Sequence, residues 1–111
     1  MAEWYEQFPC PVTVCDTAGI ILVMNDTAAQ QFAADGGYDL IGTNALDCHP
    51  EPARTKMVEM LASGERNVYT TEKKGKKKLT YQSPLFEDGV YCGFVELGLP
   101  LPADLPHHSR D

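Results

Sequence analysis

The order of local patterns along this 111-residue chain predicts an α+β domain. Three features of the pattern point there. Two β-branched segments meet across a Thr-Ala-Gly turn near the start. A middle third follows that is rich in helix caps and glycine stops. The last third alternates like strands and is punctuated by Lys-Gly and Asp-Gly turns.

Residues 1–9 hold Trp4, Tyr5 and Phe8, with Trp4 and Phe8 at helical spacing, and Pro9 and Pro11 end that turn. The three aromatics need cover, from the domain or from a second copy, and are the candidate dimer contact. Residues 11–16, PVTVCD, alternate and read as a strand. Residues 20–24, IILVM, form a continuous apolar run, which predicts a strand buried on both faces. The two make a hairpin. Asn25 and Asp26 are good N-caps, Ala28, Ala29, Phe32 and Ala33 recur at helical spacing, and Gly36-Gly37 stops the helix. Residues 38–42 predict a short helical turn capped by Asp39 and closed by Gly42. Residues 43–50 are a connector with Leu46 inward.

Residues 51–63 predict the one longer helix. Pro50 and Pro52 suit its first turn and Glu51 suits its dipole. Met57, Val58, Leu61 and Ala62 form an apolar stripe with Met60 at its edge, and Gly64 is the stop. Residues 68–72, 77–86 and 90–97 then predict a meander of three antiparallel strands turning at Lys74-Gly75 and Asp88-Gly89. The domain is expected to span residues 1–98, with a short N-terminal cap. Residues 99–111 carry Pro100, Pro102 and Pro106 and are expected to be an extended tail.

Hydrophobic content of 43% and charged content of 23% are those of an ordinary globular protein. The net charge of −7 argues against nucleic acid as a partner. Five lysines cluster at residues 73–78; a solvated hairpin turn that guards a strand edge explains them, the alternative being an anion or partner site. Cys10, Cys15, Cys48 and Cys92 lack metal or redox spacing and read as core fillers. With no apolar run long enough for a membrane and no signal-peptide pattern, the expected place is the cytoplasm, with no membrane partner.

Several short motifs, in order, resemble the PAS domain: Asp16-Thr17-Ala18-Gly19 after the first strand, Asn25 at the first helix, Leu40-Ile41-Gly42, and Asp88-Gly89 through Gly93 to Glu96 in the last hairpin. The resemblance covers roughly residues 8–98. A narrower one is to PAS-like segments that neighbour hemerythrin-like domains in bacterial proteins; these share a glycine, five residues, then Cys-His-Pro, as in Gly42 and Cys48-His49-Pro50. The resemblance implies a five-stranded antiparallel sheet with short helices and one longer helix on one face. It also implies a pocket for haem, flavin or a small metabolite, and a sensor or dimerisation role. The signal usually leaves such domains through a helix after the last strand. Pro100, Pro102 and Pro106 forbid one here, so output is expected in trans or through dimerisation.

Within that frame the candidate ligand-binding residues are His49, Met57, Met60, Leu61, Tyr69, Tyr81 and Ser83. The methionines offer an adaptable apolar wall, the hydroxyls an orienting contact. Strand register decides which side chains face inward. The flavin subclass needs a cysteine directly after its G-x-N step; Ala45 follows Gly42-Thr43-Asn44 here, and Cys48 comes three residues later. The longer helix carries no histidine for haem, although His49 precedes it and could swing in as an axial ligand or bond a nearby carbonyl. The motifs therefore support neither haem nor flavin, and the cofactor stays open. Cys48 and His49 are the only metal or redox candidates near the helix, and adjacent residues rarely converge on one ion. No paired-carboxylate, phosphate-loop or Ser/His pattern is present, so no enzyme is expected.

The expected function is a PAS-type sensor module that binds a small ligand or partner and acts as a homodimer or on a signalling protein in trans. Its alternatives are a ligand-free interaction module and a redox, haem or metal sensor at Cys48 and His49. Trp4→Ala is expected to weaken dimerisation, read as a lower sedimentation coefficient at low concentration; an unchanged coefficient contradicts this.

Overall fold

The computed structural model describes residues 3–111. Its first hairpin joins β1, Val12–Asp16, to β2, Ile21–Met24, through a turn in which Asp16 Oδ1 accepts from the Ala18 and Ile20 amides. The later strands are β3, Asn67–Lys73, β4, Lys76–Glu87, and β5, Val90–Leu101. Both turns of that meander carry positive φ at consecutive residues, Lys74 and Gly75, then Asp88 and Gly89. That geometry matches strand twist, and glycine adopts it without a Cβ penalty. All five strands pair antiparallel in the order β2-β1-β5-β4-β3. Chain start and chain end thus meet at the centre of the sheet, as β1 against β5.

That central pairing requires a glycine. A Cβ at Gly93 would stand 2.3 Å from the Cys15 carbonyl oxygen, closer than any real contact. β2 is an edge strand rather than one buried on both faces. A bulge against Val14/Cys15 sets Thr13 opposite Met24 and Cys15 opposite Ile21. It turns Ile21 and Met24 to the same side and leaves Leu22 50% exposed.

The residues between β2 and β3 supply the helices. α1, Asp26–Gln31, is capped by Asn25 and buries Ala28 and Ala29. It ends sooner than the apolar repeat suggests and passes into 3-10 turns at Ala33–Asp35 and Gly37–Leu40. Asp39 lies inside the second of these turns and caps nothing by its side chain. A third 3-10 turn, Ala45–Cys48, is capped by Asn44, whose side chain accepts from the Leu46 amide.

α2, Ala53–Ser63, begins two residues later than expected, because Pro52 occupies the cap position. Glu51 still serves the helix start, since its carboxylate accepts from the Thr55 amide and hydroxyl, and these bonds hold it below the usual carboxylate range. The buried face is Met60 and Leu61 with Met57 packed beside them; Val58, expected in the stripe, is 47% exposed, and Ala62 is exposed too. The face is rotated because Met57, Met60, Leu61 and Gly64 are the positions at i, i+3, i+4 and i+7 that meet β5. Tyr91 fixes that contact by donating its hydroxyl to the Leu61 carbonyl at 2.9 Å. The last strand runs four residues past its expected end at Leu97, to Leu101. Pro100 fits there because β1 has already ended at its pairing of Val12 with Leu97, leaving β5 an open edge on that side.

Apolar side chains gather in two clusters. One joins Cys15, Met60, Leu61 and Phe94; the other joins Ile21, Met24 and Ala28, with Phe32 and Leu40 against it. Between the first strand and the first helix lies Asn25, 1% exposed. Its Oδ1 accepts from the Val12 amide at 3.0 Å and the Ala28 amide at 2.9 Å, and its Nδ2 donates to the Cys10 carbonyl at 2.8 Å and the Phe8 carbonyl at 3.3 Å. Asn25→Ala leaves those buried groups unpaired and removes a cap, so it is expected to cost about 2–4 kcal/mol in chemical denaturation. A loss below about 0.5 kcal/mol, the range of an ordinary surface change, contradicts this.

Candidate functional site

The sheet alternates its side chains, and one face lies beneath α1, the 3-10 turns and α2. On that inner face stand Thr13 and Cys15 of β1, Phe94 and Glu96 of β5, Gln82 of β4, and Asn67 and Tyr69 of β3. The helices do not fill the space above them. α1 offers mainly alanines, and α2 reaches down with Met57, Met60 and Leu61. A cavity of about 330 Å³ remains, within the range of about 300–1,000 Å³ that small-molecule sites occupy.

The cavity has two unlike walls. One is apolar: Cys15, Ile21, Met24, Phe32, Leu40 and Phe94 border it together with the α2 residues. The other is a polar row across three strands. Asn67 opposes Gln82, and Gln82 opposes Glu96. Asn67 Nδ2 donates to Gln82 Oε1 at 2.9 Å, and Gln82 Nε2 donates to Glu96 Oε2 at 3.3 Å. Thr13 lies opposite Glu96 on β1 and continues the row. Tyr69 closes one end; burial first, and the Glu96 charge second, push its hydroxyl above the ordinary tyrosine value.

The sequence-predicted residues divide along this geometry. His49, Met57, Met60, Leu61 and Tyr69 border the cavity. Tyr81 and Ser83 do not, because β4 presents Thr80 and Gln82 inward and its odd-numbered neighbours outward. Tyr81 instead opposes Val68 and Leu97 on the far face and accepts a hydrogen bond from Arg66 at 2.9 Å; Ser83 opposes Val95 and donates to its neighbour's carbonyl. Asn67, Gln82 and Glu96 went unselected. The signal for them was present: Glu96 is a lone charge within the apolar run of residues 94–99, and a charge inside a central strand needs a reason.

His49 does two of the things open to it at once. Its Nδ1 contacts the Ala45 carbonyl at 2.6 Å, and its ring borders the cavity. A carbonyl only accepts, so Nδ1 is the donor of that contact. Cys48 also borders the cavity and is exposed, whereas Cys15 is buried. Among the described residues no group of three His, Cys, Asp or Glu is placed to hold a metal ion. Among them, too, no helix is long and apolar enough to cross a membrane.

Trp4, Tyr5 and Phe8 do not border the cavity, although their segment is bonded to the start of α1 through the Phe8 carbonyl. Trp4 is 70% exposed and meets the other two rings tilted and edge-on, with ring centroids 5.7 Å apart in each pair.

A five-stranded antiparallel sheet with its helices inserted between the second and third strands, roofing a cavity, defines an α+β fold. More particularly, the chain has the PAS fold, as its solved neighbours show. The PAS domain of BvgS from Bordetella pertussis superposes with a TM-score of 0.64 at 18% identity, over 88% of this chain and 81% of that one. A dual PAS-heme oxygen sensor receptor from Vibrio cholerae gives 0.64 at 17% identity, over 84% of this chain and 95% of that one. A Rhodobacter sphaeroides LOV protein gives 0.62 at 13% identity, over 88% and 63%. No family model and no curated protein sequence matches the chain.

Burial pushes the Cys15 thiol above its ordinary value, a backbone hydrogen bond near Phe94 opposing it only in part. Near neutral pH, a thiol-reactive disulfide reagent is therefore expected to modify Cys48 and Cys92, both exposed, well before Cys15. Peptide mapping of the early products reads the order; Cys15 among the first would contradict the packing described.

Proposed function

We propose that this chain is a sensor module of PAS type that takes a small amphipathic molecule into the cavity under α2 and reports occupancy by dimerisation or to a signalling protein in trans. The observation that carries this reading is the cavity itself: about 330 Å³ with one apolar wall and one hydrogen-bonding wall. Side chains that only packed a core would leave neither the volume nor the polar row. Binding would stiffen the Met57, Met60 and Leu61 face of α2 against β5. The aromatic cluster of Trp4, Tyr5 and Phe8 is the proposed dimer contact, since it holds an indole 70% exposed over two half-buried rings. The prolines after β5 support output through a partner rather than through a continuing helix. The free state of all four cysteines supports a reducing cytoplasm, and nothing in the cavity's chemistry calls for catalysis.

A second reading is haem. Its support is His49, a cavity-lining residue whose Nδ1 is tied to a backbone carbonyl in the manner that orients ligating histidines. One of the similar structures is described as a PAS-heme oxygen sensor. Haemin added to the apoprotein would then give a sharp, shifted Soret band lost in His49→Ala, and an unchanged spectrum removes the reading. A thiol or metal sensor at Cys48 and His49 is tested by the Cys48→Ser, His49→Ala double variant; unchanged behaviour of that variant under oxidant and added metal dismisses it.

The small-molecule reading is tested by native mass spectrometry of protein purified under mild conditions, and by thermal shifts against a metabolite panel. A ligand at about a hundred times its dissociation constant adds about 2.7 kcal/mol, enough to raise Tm by roughly 10 °C in a domain this size. Met60→Trp, which fills the cavity from α2, is expected to abolish both the co-purifying mass and the shift. No bound mass and no shift from the whole panel contradict the reading.

A further inference from the structure

We infer that the ligand of this cavity carries a cationic hydrogen-bond-donating head, an ammonium or comparable protonated nitrogen, held by Glu96 at the end of the Asn67–Gln82–Glu96 row, with an apolar body lying on the α2 and β2 wall. The inference rests on the proposed reading of the cavity as a ligand site and adds the ligand's chemical class.

The hydrogen-bond direction along the row is its first support. Asn67 donates to Gln82 and Gln82 donates to Glu96, so each amide spends an N–H toward the carboxylate. The row therefore ends on an acceptor. One amide at 3.3 Å occupies little of a carboxylate that can accept about four hydrogen bonds. A donor fits what is left, and a second acceptor does not.

The charged residue types around the cavity agree. Asp35, Lys56 and Glu96 border it beside His49, two acids against one lysine. Asp35 and Lys56 belong to the helical roof, whereas Glu96 sits in the middle of the sheet, opposite both Gln82 and Thr13. Glu96 is half-buried there, and Lys78 lies beside it only in the small neighbouring pocket, so its acceptor capacity toward the cavity stays open to a donor. Its charge is felt inside the site, since it is among the causes that raise the Tyr69 hydroxyl. An anionic ligand would meet that charge at close range in a partly desolvated space, where repulsion is strong.

The apolar half of the ligand follows from the opposite wall. Met24, Met57 and Met60 are flexible thioethers that conform to an aromatic or aliphatic body. No rigid slot is defined, so the body's outline is set less closely than the head's charge.

Three probes of matched size separate the alternatives: phenethylamine, phenethyl alcohol and hydrocinnamate, which are cationic, neutral and anionic. Binding is read by calorimetry on the full chain, with an apolar fluorescent dye as an independent monitor of cavity access. Phenethylamine is expected to bind about tenfold or more tighter than either of the others, the ratio a hydrogen bond to a charged group supplies. Glu96→Gln, isosteric and still able to accept from Gln82, is expected to erase that preference, with the dye still entering the cavity as evidence that the variant is folded. Equal or tighter binding of the alcohol or the acid by the unaltered chain overturns the inference and leaves the cavity reading standing. A preference that survives Glu96→Gln in a folded variant also overturns it. Failure of all three probes and of the dye overturns the cavity reading together with the inference.

Discussion

Asn25 ties together the entering segment, the first hairpin and the first helix. It follows β2 directly, its Oδ1 receives the first amide of β1 and an amide of α1, and its Nδ2 holds the carbonyls of Phe8 and Cys10 in the entering segment. The Asp26 amide adds a bond to the Glu6 carbonyl beside it. One side chain thus sets the entry of the chain, the edge hairpin and the departure of the helices at one point. An amide suits this role because it donates and accepts at once, and at 1% exposure a missed bond has no water to replace it. The rest of the fold hangs from the β1–β5 pairing that this junction positions, and Gly93 allows that pairing to close.

The cavity is a consequence of how little the helical stretch between β2 and β3 can fill. It is broken into short turns, and its longest early helix buries alanines. Long apolar side chains come down to the sheet from α2, on the narrow face of Met57, Met60 and Leu61, and singly from Phe32, Leu40 and Leu46 of the turns. Against them the sheet sets a row of amides and a carboxylate rather than more aliphatic residues. Volume and polarity therefore come from different elements: the roof gives adaptable apolar surface, and β3, β4 and β5 give hydrogen-bonding groups on the sheet.

Much of this was legible in the residues. The succession of strands and helices, both tight turns, the Asn25 cap and the inward place of Met57 and Leu61 follow from local rules that act over a few residues, whereas the single five-stranded sheet is what the PAS resemblance implies. Local rules failed at the two faces of β4. Its larger apolar and aromatic residues are Leu79, Tyr81, Leu85 and Phe86, and the expectation that Tyr81 and Ser83 face the pocket needs the opposite register. The outer face of this sheet is itself apolar, however, and the inward positions are Thr80 and Gln82. Register across four strands decides the matter, and register is a property of pairing that no single segment carries. The buried appearance of residues 20–24 misled for a similar reason, since an edge strand with a bulge exposes Leu22 without altering the composition of the run.

Proton–nitrogen correlation NMR of the side-chain amides, recorded during a titration with phenethylamine, tests the central claim most directly. Asn67 and Gln82 contribute one amide pair each to the inner row, whereas Asn25 and Asn44 serve backbone groups elsewhere. A site whose head group meets Glu96 predicts saturable shifts in the Gln82 and Asn67 amides, accompanied by the backbone of Glu96 and the methyl groups of Met57 and Met60. Saturable shifts confined to Trp4, Tyr81 or the outer strands, with the Gln82 and Asn67 amides unmoved, would contradict it.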